Sequence, residues 1–214
     1  MTRLQHFGFP TRLADITQNI FVATAFACMD GYADFATIPA KERVGFVHIY
    51  RVNNARIKYS TGDTVTVLSK LAMLSEDKIT LNDLSGLAYE VKDERPGFYW
   101  RKGTEVSKRL EDEIQKVWCV RPVMNNSRIK VQDGAFLLFG CKEKKACLKA
   151  TFAEDDFEDP KSPTFGIAQI ASIGITPKTK KLFNRARCFL GCDEHRIYPD
   201  LEKLAKALSL KKEF

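Results

Sequence analysis

The chain has 214 residues, 44% hydrophobic and 29% charged, with a net charge of +7 and a pI near 9.1. This is an ordinary globular composition with enough apolar side chains for a sizeable core, and the length fits one domain spanning residues 1–214. No apolar run reaches the roughly 18 residues a membrane helix needs, and MTRLQHFG has neither an h-region nor a cleavage site. A cytoplasmic chain without a membrane partner is therefore expected.

In chain order, Asn19 is a good helix N-cap. The residues after it set Phe21, Ala25 and Cys28 on one face, with Val22 and Phe26 beside them, before an Asp30-Gly31 stop. This helix is apolar nearly all round, which predicts burial, for instance against a sheet. Val44–Tyr50 alternates β-branched and aromatic residues and reads as a strand. Thr64–Ser69 is a shorter strand candidate, or else the start of a helix running through Leu74. Ser75–Gly103 gives no clear pattern beyond the Arg95-Pro96-Gly97 break.

Glu105–Val117 has Val106, Leu110, Ile114 and Val117 at helical spacing. Trp118–Val123 and Ala135–Gly140 are strand candidates joined through Asn125-Asn126-Ser127. Glu154–Pro163 is an acidic, proline-bearing surface loop, Phe165–Ile175 is extended, and Lys178–Leu190 and Leu201–Leu210 are closing helices. Strands and helices interleave without a βαβ rhythm. The expected fold is α+β, a single domain whose mixed or antiparallel sheet carries a buried N-terminal helix and C-terminal helices.

Six cysteines are too few to staple a chain of this size and read as small buried hydrophobes or inert thiols. The rival reading sets Cys141-x5-Cys147 with Cys188-x3-Cys192-x2-His195 as a zinc site. It lacks the tight knuckle spacing of such sites, so no metal is expected. Lys142, Lys144, Lys145 and Lys149, then Lys178, Lys180, Lys181, Arg185 and Arg187, concentrate positive charge late in the chain. Such runs are more often a solvated face than a polyanion interface. Nucleic-acid modules add exposed aromatics or a reading element, and neither is evident in the sequence. His48 and His195 read as ordinary surface or core residues. Nucleophile-elbow, Walker and Rossmann motifs are absent. The acidic residues from Glu154 to Asp159 lack the ligand order of a calcium loop.

The segment LQHFGFPTRLADITQNIFVATAFA is the most informative part of the chain. A polar Gln5-His6 pair precedes a Gly8/Pro10 turn, Thr11-Arg12-Leu13 leads to Asp15 and Thr17, and Asn19 caps an apolar helix. Polar groups this close to a buried helix start must bond one another or a ligand, and the helix N-terminus itself suits an anion. The segment resembles the FRG domain family, whose run reads approximately Q-H-[YF]-G-x-P-T-R-L-L-D-W-T-x-N-P. Ile16 replaces the usual Trp and Ile20 the usual Pro.

Two later blocks extend the resemblance: Arg121-Pro122 with Arg128-Ile129 and Gln132-Asp133-Gly134-Ala135-Phe136-Leu137, then Ile197-Tyr198-Pro199-Asp200-Leu201. The family's aromatic-Arg-Gly motif, which lies upstream of the Gln-His pair, is not in this sequence. An FRG-type domain lacking its N-terminal part is thus expected.

The family is described mainly by sequence, often in bacterial and mobile-element settings, so this resemblance implies no reaction. The order of the blocks is also similar to that of ADP-ribosyltransferases, which implies NAD as the ligand. In that reading Arg12 and Gln132 stand at the reacting end, while Gln5, His6, Thr11, Asp15, Thr17 and Asn19 surround the ligand. A late catalytic glutamate is not evident; Gln132 and Asp133 occupy the equivalent run. The alternative is a non-catalytic module that binds a nucleotide, or a nucleic acid through the basic C-terminal segments. Arg12 and Asp15 fit a structural ion pair as well as a site.

Overall fold

The computed structural model describes residues 11–29, 43–72, 86, 111–125, 127–141 and 148–199. The Asp30-Gly31 stop, the Ser75–Gly103 stretch apart from Gly86, the first part of the Glu105–Val117 helix and the Leu201–Leu210 helix lie outside them. The chain divides into two compact units, Met1–Asp15, Tyr50–Val123 and Ala135–Gln169 forming one, and Ile16–Ile49, Met124–Gly134 and Ile170–Phe214 the other.

Among the described residues the elements are β1 (Leu13–Thr17), α1 (Ile20–Cys28), β2 (Gly45–Val52), a 3-10 turn (Asn54–Arg56), β3 (Ile57–Tyr59) and α2 (Asp63–Leu71). They continue with β4 (Val117–Arg121), α3 (Ser127–Val131), β5 (Gly134–Phe139), a 3-10 turn (Asp155–Phe157), β6 (Ile167–Ile175), α4 (Pro177–Ala186) and α5 (Glu194–Ile197). Four strands form a mixed sheet in the order β1-β5-β4-β3, and β2 pairs with β6 in a second sheet. The fold is α+β.

Strand order explains which apolar runs are continuous. In the first sheet β4 and β5 are interior. Val117, Trp118, Cys119 and Val120 on one and Ala135, Phe136, Leu137 and Leu138 on the other are all buried, as strands covered on both faces require. These two strands are antiparallel, with Val117 opposite Phe139 and Val120 opposite Phe136. β3 joins β4 in parallel, Ile57 opposite Cys119. β1 closes the other side of β5 antiparallel, since Arg12 O accepts from Phe139 N at one end and Gln18 N donates to Asp133 O at the other. β2 keeps the alternation of a strand with one wet face: Val47 is buried between exposed Phe46 and His48.

In the first unit, Thr64–Ser69 is helical rather than extended. Thr64, Val65, Val67, Leu68 and Leu71 of α2 are buried at helical spacing, and α2 packs against β3. Four β-branched residues in a short run suggested a strand beside the helical alternative; burial of one helical face decided for the helix. Helical backbone at residues 111–114 ends before Val117, which already belongs to β4.

In the second unit, α1 buries Val22, Ala25 and Cys28, while Phe21 is 46% exposed and Ile20 is also exposed. The expected all-round burial is thus confined to one face, and Phe21 lies off it. Ala25 joins Cys192, Ile197 and Tyr198 in one small core, and Cys28 joins Val47 and Ile175 in another. Phe183 of α4 packs against both. Thr176 caps α4, accepting from Thr179 N at 3.2 Å, with Pro177 in the first turn.

Candidate functional site

The second unit brings parts of the three blocks together: Thr17 and Asn19 from the first, Arg128 and Gln132 from the second, and Ile197 and Tyr198 from the third. Thr17, at the end of β1, donates its hydroxyl to the Gln132 carbonyl at 2.6 Å and accepts from the Asn19 amide at 3.0 Å. The Asn19 side chain accepts from Phe21 N at 2.9 Å, capping α1 as its residue type predicts. Gln132 Nε2 donates to the Ile197 carbonyl at 3.0 Å, tying the middle block to the last. Beside this bond the Arg128 guanidinium lies 4.7 Å from the Tyr198 ring centroid, and Tyr198 meets Phe26 edge to face.

Gln132 and Asp133 of the middle block precede the strand, which begins at Gly134. They form the turn that closes α3: Gln132 N donates to Arg128 O and Asp133 N to Lys130 O. Asp133 has φ 47°, a left-handed conformation that an L residue other than Asn or Asp seldom adopts. That reversal aims the carbonyls of Gln132 and Asp133 at Thr17 Oγ1 and Gln18 N.

Thr11, Arg12 and Asp15 belong to the other unit. Arg12 is buried and donates through Nη1 to the Gly140 carbonyl at 3.1 Å. Thr11 accepts from Leu13 N at 3.4 Å, and Asp15 is exposed on β1. Gln5 and His6 lie outside the described residues. The structure therefore gathers Thr17, Asn19 and Gln132, and turns Arg12 toward its own unit's backbone. Thr17, Asn19 and Gln132 hold main-chain groups, which fixes the path of the chain around the start of α1; Arg12 holds a main-chain group of its own unit.

The first unit also contains a buried polar cluster that the sequence did not announce. Arg56 is 3% exposed, lies over the Trp118 and Phe165 rings, and donates through Nε to the Phe165 carbonyl. Its Nη2 is buried without a partner. Burial pulls its pKa below the usual guanidinium range, opposed by the charges of Asp112 and Glu113. Glu113 is buried, accepts from the Thr64 hydroxyl, and lies 3.7 Å from Lys58 Nζ. Trp118 donates its indole N–H to the Glu113 carbonyl at 2.8 Å. Gly166, at φ 74°, lets its loop close over Arg56, because a Cβ there would stand 2.9 Å from Arg56 Cγ. Charged residues at positions otherwise suited to core were the only available signal.

None of the described cysteines is in a disulfide; Cys28, Cys119, Cys141 and Cys192 are buried and Cys188 is exposed. Among the described residues no three His, Cys, Asp or Glu side chains gather as a metal site; Cys147 lies outside them. Among those residues, too, no helix is long and apolar enough to cross a membrane.

These observations define an α+β chain in which Thr17, Asn19, Gln132 and Ile197, drawn from three ordered sequence blocks, meet at a capped helix start. Comparison with family models then gives a match: residues 1–34 match the FRG domain. Comparison with curated proteins and with solved structures gives no match.

Proposed function

We propose that this chain is an FRG-type domain acting as a non-catalytic binding module for a phosphate-bearing partner, a nucleotide or a nucleic acid. The observation that carries this reading is the engagement of Thr17, Asn19, Gln132 and Arg12 with main-chain partners. A reacting group must reach its substrate within hydrogen-bond distance, whereas these side chains build a scaffold. The net charge of +7 favours an anionic partner.

A second reading keeps the opening segment as an ADP-ribosyltransferase-like NAD site of a bacterial or mobile-element conflict system. Arg12 and Gln132 would lie at its reacting end, with Gln5, His6, Thr11, Asp15, Thr17 and Asn19 around the ligand. The exposed carboxylate of Asp15 favours it, because an acceptor stabilises the positive charge that develops as nicotinamide leaves. One pair of assays separates the two. Purified chain is incubated with labelled NAD, and labelled nucleotides and oligonucleotides are titrated across salt concentration. The binding module releases no nicotinamide and binds its anion more weakly as salt rises. Nicotinamide release above the spontaneous rate overturns it.

A further inference from the structure

The outer face of α4 combines charge with apolar surface in a way that the scaffold does not use. Between Asp159 and Asp193 the sequence has no acidic residue. Lys178, Lys181 and Arg185 of α4 are exposed, while Phe183 points into the small cores of the second unit. On the same outer side Leu182 is 68% exposed, and Phe189, just past the helix, is 93% exposed.

Phe189 is not on a loose end. Arg187 N donates to Phe183 O, Leu190 N to Ala186 O, Gly191 N to Cys188 O and Cys192 N to Arg187 O, each at 2.8–3.2 Å. Gly191 supplies the left-handed φ of 69° that this reversal needs, and Cys192 is anchored in the core beyond it. The turn fixes the backbone from which the ring projects into water.

We infer that this face binds single-stranded nucleic acid. Lys178, Lys181 and Arg185 track phosphates along a helix about 15 Å long, and the Phe189 ring supplies a platform for an unstacked base. This inference rests on the nucleic-acid arm of the proposed function and locates it. Two features select the partner. The positive face has no carboxylate on its own helix, so its charge complements a polyanion. Cations and apolar groups also alternate along one strip: Lys178, Leu182, Arg185 and Phe189 follow one another at steps of four, three and four residues. A helix that lies in a bilayer surface instead segregates its cations from a continuous apolar face. A duplex keeps its bases stacked and offers no free base to a single ring.

The test uses the full chain with a short fluorescein-labelled oligothymidylate, the corresponding duplex, and phosphatidylcholine vesicles with and without phosphatidylserine. Anisotropy and co-sedimentation are measured across salt concentration. The single strand should bind with a log–log salt slope near about −2, as expected for about three phosphates. The double variant Lys181→Glu/Arg185→Glu should bind about tenfold or more weakly and lose about 1.4 of that slope. Phe189→Ala should lose about 5- to 150-fold in affinity with its slope unchanged, because stacking releases no counterions. All substituted residues are exposed, and matching thermal melts confirm intact folding.

Binding of the single strand that is equal in all variants overturns this surface and leaves the proposed function standing. No oligonucleotide binding by the unaltered chain removes the nucleic-acid arm, and this inference with it. Tighter binding to the duplex overturns the stacking role. Binding to anionic vesicles alone, lost in Phe189→Ala, reassigns the face to a membrane.

Discussion

Replacing Thr17 by valine separates scaffold from site. Valine preserves the side chain's shape and removes both its hydroxyl donor and its acceptor, so the Gln132 carbonyl and the Asn19 amide each lose a partner in a partly buried corner. Each neutral bond contributes about 0.5–1.5 kcal/mol net, which makes the pair worth about 1–3 kcal/mol. For a chain of this length that corresponds to a melting temperature lower by about 2–12 °C.

The measurement is a thermal melt followed by circular dichroism at fixed pH and salt. Asn19→Ala is run beside it, with an expected loss of about 1 kcal/mol for the helix cap. A Thr17→Val chain that melts with the unaltered protein yet loses its ligand would refute the scaffold reasoning. The hydroxyl would then face a ligand rather than the chain.

Other consequences follow from particular contacts. Arg56→Ala should cost about 2–4 kcal/mol and shift Trp118 fluorescence, since it empties a buried site and removes the cation over the indole; a change below about 0.5 kcal/mol in urea titration contradicts that. Gly140→Ala should destabilise by about 3 kcal/mol or more, because a Cβ there would overlap the Ile114 carbonyl and stand 2.7 Å from that of Lys116. Soluble expression and a normal melt would show that the backbone can give way. In a thiol-labelling time course Cys188 should react first, and Cys119 and Cys192 only on unfolding.

Burial pushes the thiols of Cys119 and Cys192 above their usual range, with Asp193 adding at Cys192 and Arg121 opposing at Cys119. Burial also raises Tyr50. The unfolded thiols therefore lose their protons first, and the folded state gives up stability as pH rises past about 9. Urea midpoints that stay level through that range contradict the assignment.

The sequence alone determined the features that depend on neighbouring residues. Asn19 announced a helix start because its side chain caps a backbone amide two residues away. The apolar runs at Trp118–Val123 and Ala135–Gly140 announced strands, and the structure places them inside the sheet, covered on both faces. The opening block announced the FRG resemblance, which the match over residues 1–34 bears out.

What the sequence left open depends on residues far apart in the chain. Three-residue β3 and five-residue α3 are too short to show a period. Thr64–Ser69 became a helix because the core beside β3 accepts one helical face. The site was half legible. Thr17, Asn19 and Gln132 could be named from the sequence, but only the left-handed turn at Asp133 shows that the Gln132 carbonyl faces Thr17 while its amide reaches Ile197. The basic run after Lys178 was equally plain in sequence. Exposure of Phe189 at the end of that run was not, because a phenylalanine is apolar wherever it stands, and only the packing around Cys192 decides that its ring meets water.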